Sequence, residues 1–322
     1  MFIEKKCITK LLVAAIFLNG SAAFATPNAS DFSEALSNWA LAAEKVAPTH
    51  KDVFYGSHER HNLNFWQVDS DAPLGILIHI HGGGWIGGKK AESQHENVFD
   101  LGYHTASINY PLVSKGDIQP AMAHAAARAV QFIRYKAEEW NIDPSRIMLT
   151  GSSAGAASSM WLATHEDMAD PDSEDPIAQL STRVAGAHVG GGQTTLDPFL
   201  IEKRIGPEAI KSGMLFKPFG ANSIEELKTN WEGKYRDFSN EYTALKHLSK
   251  DDPPLFLRYR DTDYPARDTG HGIHHGIFGV ILKERADELG AQVYLQVGND
   301  VPAEMPLHVF VESILIKKEH KQ

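Results

Sequence analysis

Arg146-Ile147-Met148-Leu149-Thr150-Gly151-Ser152-Ser153-Ala154-Gly155 is an apolar run that ends in two glycines placed around a serine. The small, helix-compatible residues that follow predict a helix over 154–164, so the segment reads as strand, tight turn, helix. A second segment of the same kind lies upstream, where Gly75-Ile76-Leu77-Ile78-His79-Ile80 runs into His81-Gly82-Gly83-Gly84-Trp85. Both glycine segments fall at the carboxyl ends of predicted strands. That is where open α/β sheets place their chemistry.

Outward from these two points, strand and helix patterns alternate. Strands are predicted over 62–68, 75–80 and 104–109, with helices over 89–101 and 117–140, the latter rich in alanine. Asn141-Ile142-Asp143-Pro144-Ser145 is a turn signal that feeds the strand before Gly151. A strand over 184–189 precedes a stretch, about 190–252, that mixes helical pieces, prolines and charges without strand alternation. It reads as an insertion capping the carboxyl edge of the sheet. Strands over 254–259 and 292–297 and helices over 275–289 and 307–317 complete the pattern. Near the start, Ser30 can cap a helix over 30–46 whose stripe of Phe32, Leu36, Trp39, Ala40 and Ala43 suits a cover on the outside of the sheet. The expected fold class is α/β: a mostly parallel central sheet with helices on both faces and a cap insertion.

The 322 residues suffice for one large domain, over 26–322, and 43% hydrophobic with 22% charged residues is ordinary globular composition. A formal net charge of -10 argues against a nucleic-acid partner, which would require a basic face. Residues 1–25 resemble a signal peptide: Lys5, Lys6 and Lys10 give a positive start, Leu11 to Leu18 an apolar middle, and Ala23-Phe24-Ala25 a cleavage site. The apolar run falls well short of the roughly 20 residues of a membrane span. The expectation is therefore a chain exported to the periplasm or the medium, with no stable span after cleavage. Cys7, the one cysteine, would leave with the leader. Oligomeric state is not legible at this level.

A serine hydroxyl becomes a useful nucleophile only when a base removes its proton and the side chain projects where substrate can reach it. Ser153 sits at the centre of a Gly-x-Ser-x-Gly elbow, in which the flanking glycines let strand and helix cross closely. The first free N–H of the following helix, that of Ala154, then faces a developing negative charge. Gly83 and Gly84 can turn their backbone N–H groups toward the same oxygen, because no β-carbon intervenes. His81 is expected to brace this loop, and Trp85 to pack beneath it. The competing reading is a glycine-rich turn with an incidental serine; the upstream His-Gly-Gly-Gly-Trp weighs against it.

These motifs, with Ile108-Asn109-Tyr110-Pro111-Leu112, Ile142-Asp143-Pro144-Ser145-Arg146-Ile147 and Asp251-Asp252-Pro253-Pro254-Leu255-Phe256-Leu257, resemble the hormone-sensitive-lipase-like and feruloyl-esterase-like carboxylesterases of the α/β-hydrolase superfamily. The resemblance covers most of the chain after residue 25. It implies an acyl-enzyme ester hydrolase, acting on a small-molecule or carbohydrate-linked ester such as an acyl or feruloyl decoration, with no metal or organic cofactor. By this resemblance an arginine is usual after the tyrosine, where this chain has Pro111, and an aspartate is common where it has Ala125 to Ala127. The family order of nucleophile, acid, histidine points to Asp263, in the loop after the 254–259 strand, and to His308, after the last strand. Asp261 and Asp268 are rival acids in that loop, and Asp197 a more distant one. His274 and His275, in Gly270-His271-Gly272-Ile273-His274-His275-Gly276, are rival bases, since Val309 replaces the glycine expected after the histidine. Two other functions stay open: a degenerate hydrolase fold used for binding, and a serine peptidase of prolyl-oligopeptidase type.

Overall fold

The structure is a computed structural model that describes residues 44–300, 302 and 305–316. Ten strands occur there: β1 Lys45–Val46, β2 His50–Phe54, β3 Asn62–Trp66, β4 Leu74–Ile80, β5 Gln94–His95, β6 His104–Ile108, β7 Ile142–Ser152, β8 Gly186–Gly190, β9 Leu255–Tyr259 and β10 Val293–Val297. Nine α-helices accompany them: α1 Ala121–Tyr135, α2 Ala154–Thr164, α3 Pro198–Arg204, α4 Ile224–Thr229, α5 Arg236–Glu241, α6 Ala244–His247, α7 Thr269–Ile273, α8 Ile277–Leu289 and α9 Leu307–Leu315. Among the described residues no helix is long and apolar enough to cross a membrane.

Eight strands form one sheet in the order β10-β9-β8-β7-β4-β6-β3-β2, parallel except where β3 pairs with β6 and β2 with β3. This is the α/β-hydrolase fold. From β4 the chain crosses to β6 on one side and then to β7 on the other. Such a reversal opens a crevice at the carboxyl ends of the two neighbours. Ile80 at the end of β4 pairs with Gly151 near the end of β7, so the two glycine segments leave the sheet side by side.

The core explains why these segments take these forms. Ile76, Ile78 and Ile80 alternate along β4 and are buried on one face, while Leu77 and His79 point to the other. All eleven residues of α2 are buried, as expected of a helix that is small and apolar all round and packed against both sheet and neighbours. On the opposite face, α9 sets Phe310 and Leu315 against Met148 and Phe256.

Some predicted elements differ. The helix expected over 89–101 is replaced by β5 and a short 3-10 turn, Glu96–Asp100, because only Val98 of that turn is buried and no stripe exists to hold a helix down. The edge strand β2 was not expected: His-Lys-Asp-Val-Phe leaves most of its side chains exposed or half-buried, so alternation is faint. Residues 1–25 and most of the helix predicted over 30–46 lie outside the described residues; the last two, Lys45–Val46, form β1. Residues 191–252 hold no strand among the described residues and fold into α3 to α6 with short 3-10 and π turns between them. Part of this segment lies over the carboxyl end of the sheet, where Met214 stands next to Gly84.

Candidate active site

Ser153 links β7 to α2 with φ 54° and ψ -124°, a left-handed conformation that a side-chain-bearing residue rarely adopts and that thrusts its Oγ away from the turn. The tightness of the crossing forces glycine at Gly155, where a Cβ would stand 2.0 Å from the Ile80 carbonyl oxygen. A Cβ on Gly82 would lie 3.4 Å from that of Ser153, so the upstream glycine loop touches the elbow. Gly83 and Gly84 have φ of 106° and 64°, open to glycine at little cost. The N–H groups of Gly83, Gly84 and Ala154 donate to no acceptor among the described residues.

Packing and hydrogen bonds hold the glycine loop rigid. The His81 ring is buried and stacks on Tyr110 with centroids 4.1 Å apart, and the Tyr110 hydroxyl donates to the His81 oxygen at 2.8 Å. His81 Nδ1 lies 2.7 Å from the Gly82 oxygen, which can only accept, so the hydrogen is on Nδ1. Burial pulls the His81 pKa down to about 4. It is a neutral brace, and no hydrogen bond joins it to Ser153. Trp85, also buried, donates its indole N–H to Ser158 Oγ at 2.9 Å and so ties the loop to α2. Sequence reasoning missed Arg60. Its guanidinium reaches the Tyr110 oxygen at 2.7 Å, the Gly88 oxygen at 3.0 Å and Asn109 Oδ1 at 3.2 Å. It thus supplies a cation from a distant loop beside Pro111.

The base is where the structure departs most from expectation. His308 is exposed on the first turn of α9, where it lines a separate depression with Tyr103, Gln296 and Glu312, and makes no hydrogen bond to Ser153. The imidazole that reaches the serine is His274, with Nε2 2.9 Å from Ser153 Oγ. Its Nδ1 lies 2.7 Å from the Gly270 carbonyl oxygen. A carbonyl only accepts, so the hydrogen sits on Nδ1 and Nε2 presents its lone pair to the hydroxyl. His274 is held there by α7, a five-residue helix that sequence reading did not anticipate because two of its residues are glycines. Gln193, itself buried, donates to both the Gly191 and Ile273 oxygens and locks α7 to the loop after β8.

No candidate carboxylate is hydrogen-bonded to His274. Asp263, the expected acid, turns outward and pairs with Arg267 at 3.2 Å. Asp261 accepts from His271 Nε2 at 2.6 Å, which holds its pKa below the usual carboxylate value. Asp268 caps α7 by accepting the His271 N–H at 2.8 Å, and Asp197 caps α3 in the same manner. His275 is fully buried; its Nε2 faces the Asp263 backbone oxygen at 3.0 Å, away from the serine. The loop's acids and its other histidines therefore build the platform on which His274 stands.

Ser153 and His274 open into a cavity of about 920 Å³ that also touches His188, Gly191, Arg258 and Arg260. Neither arginine has an acidic partner among the described residues. Residues 65–265 match the BD-FAE family model, more than half of the chain.

The chain belongs to the BD-FAE family. It is 26% identical over 219 residues to the probable carboxylic ester hydrolase LipM of Mycobacterium tuberculosis, covering 66% of this chain and 47% of the relative. It is 25% identical over 223 residues to the probable isoprenylcysteine alpha-carbonyl methylesterase ICMEL1 of Arabidopsis thaliana, covering 66% and 44%. The chain thus spans less than half the length of these two relatives. Among solved structures it is similar to a truncated carbohydrate esterase from gut microbiota, with TM-score 0.61, 19% identity and coverage of 78% and 90%. It is also similar to an acetyl ester-xyloside bifunctional hydrolase from Caldicellulosiruptor lactoaceticus, with TM-score 0.56, 20% identity and coverage of 78% and 81%. At these identities the solved structures establish the fold. The BD-FAE match ends before α7, so the imidazole beside Ser153 comes from beyond the matched span.

One buried and two half-buried histidines of this BD-FAE chain contribute to its acid response. His61, His81 and His188 each have a pKa lowered to about 4, with burial as the largest cause. In the unfolded chain these imidazoles take up protons near pH 6.5, which the folded state resists. Their contribution to stability is therefore complete above about pH 6.5 and lost as pH falls toward 4. Thermal melts between pH 7.5 and 4.5 are expected to show a falling Tm across about that interval; a flat profile would contradict it.

Proposed function

We propose that this chain is a serine carboxylic-ester hydrolase that works through an acyl-enzyme, with Ser153 as nucleophile and His274 as base. One observation carries the reading: Nε2 of His274 lies 2.9 Å from Ser153 Oγ. The names of the relatives support the reaction class, and the fold shared with carbohydrate esterases supports esters on carbohydrate, acyl or feruloyl, as the substrate.

Ser153 Oγ attacks the ester carbonyl as its proton passes to His274 Nε2. The carbonyl oxygen becomes an oxyanion that accepts from the N–H groups of Gly83, Gly84 and Ala154. The imidazolium returns the proton to the departing alcohol, and an acyl group remains on Ser153. Water then gives its proton to His274 and attacks the acyl carbon, and the acid leaves as the serine is restored. In this reading the Gly270 oxygen takes the orienting place usually held by a carboxylate. It fixes the tautomer but offers a dipole instead of a full negative charge.

The test uses a serine-directed fluorophosphonate and short p-nitrophenyl esters. Expected is ester turnover, lost in step with one phosphonyl adduct that peptide mass mapping places on Ser153. Preference for an aminoacyl nitroanilide would favour the peptidase reading. Silence toward every probe would favour a fold retained for binding.

A further inference from the structure

Outside the cleft, the ends of three helices bring His165, Glu241 and His247 together: His165 follows α2, Glu241 ends α5 and His247 ends α6. One ligand-capable atom from each lies within 4.8 Å of the other two. The two imidazole rings have centroids 4.8 Å apart. None of these residues takes part in the chemistry proposed for Ser153.

The hydrogen bonds around the cluster leave an electrostatic conflict. His165 Nδ1 lies 2.9 Å from the Glu166 backbone oxygen, an acceptor, so Nδ1 carries the hydrogen. In the neutral ring Nε2 is then a lone pair, yet it faces Glu241 Oε1 at 3.1 Å. Two acceptors at that separation repel unless a cation lies between them. That cation is either a proton on Nε2 or a metal ion held by both atoms. A ring nitrogen hydrogen donated to a backbone carbonyl is also the arrangement that orients metal-bound histidines. His247 is pinned in the same way, through Nε2 to the Glu241 backbone oxygen at 2.6 Å, which leaves its other nitrogen with the lone pair.

We propose that His165, Glu241 and His247 form a binding site for a divalent transition metal of the zinc class, with two imidazole nitrogens and one carboxylate oxygen as ligands. This donor set suits zinc, whose tetrahedral shell would be completed by water. The ion would clamp α5 and α6 onto the carboxyl end of the helix that starts at the nucleophile. The Trp161 indole already bridges these elements by donating to the Glu241 backbone oxygen at 2.7 Å.

The experiment titrates chelator-stripped full-length protein with zinc chloride at pH 7.5, followed by calorimetry, bound-metal analysis and thermal melting. Expected is one equivalent of zinc per chain and a rise in Tm of several degrees. His247→Ala and Glu241→Gln should each weaken uptake more than about 100-fold, beyond what losing a supporting hydrogen bond gives, and should abolish the zinc-dependent rise. Phosphonate labelling of Ser153 should persist in both. His274→Ala should bind zinc like the wild type, which separates this site from the histidines of the cleft. Absence of saturable uptake, or uptake unchanged in the two variants, overturns the proposal and leaves a His165–Glu241 side-chain pair.

Discussion

Alanine in place of His274 is expected to lower ester kcat/KM by at least about 10⁴-fold, the scale seen when the base of a serine hydrolase is removed. The same change at His308 should leave turnover within about twofold, as for a surface position. The sequence pattern ranks the two histidines the other way. Geometry decides against it, because only His274 has a nitrogen at 2.9 Å from Ser153 Oγ and a fixed tautomer. Asp263→Ala should also have a small effect, since the carboxylate is spent on an exposed ion pair with Arg267. Steady-state kinetics on a short p-nitrophenyl ester decides the matter. Loss of activity in His308→Ala with retention in His274→Ala would reverse the assignment.

Ser153→Ala is expected to cost as much, roughly 10⁴ to 10⁶-fold in kcat, and to remove phosphonate labelling. Its diagnostic value lies in the pair. If Ser153 and His274 act as one unit, the double variant should be no slower than Ser153→Ala alone, because the base has nothing left to deprotonate. Residual hydrolysis above the solvent rate would come from the N–H groups of Gly83, Gly84 and Ala154 acting on the carbonyl. Full additivity of the two losses would mean that His274 serves some purpose other than activating Ser153. The folded state should survive both changes, since each removes a side chain that projects into an open cavity of about 920 Å³.

The parts of the site legible in sequence share a property: their geometry is enforced locally. Gly151 and Gly155 around Ser153 report a crossing so close that a Cβ at Gly155 meets the Ile80 oxygen at 2.0 Å. The consecutive glycines at 82–84 likewise signal a loop that must turn its N–H groups inward. Arg60 left no such trace, because its partners, the backbone oxygens of Tyr110 and Gly88 and the side chain of Asn109, are brought to it by tertiary contact alone. The α7 helix was equally hidden: Thr-Gly-His-Gly-Ile has little helical propensity, and it holds its form through the Asp268 cap and the packing of Gly272 against Ala209.

By itself, then, the sequence determined the alternation that builds the sheet, the sharp turn at Ser153 and the glycine loop beside it. Each follows from short-range periodicity or from steric limits on the backbone. Tertiary structure decided which imidazole meets the serine, which acids merely support the platform, and where the bracing guanidinium comes from. Those outcomes depend on residues distant along the chain, such as Ser153 and His274, meeting within a few ångströms. No local preference encodes such a meeting; the packing of α7 against the loop after β8 does.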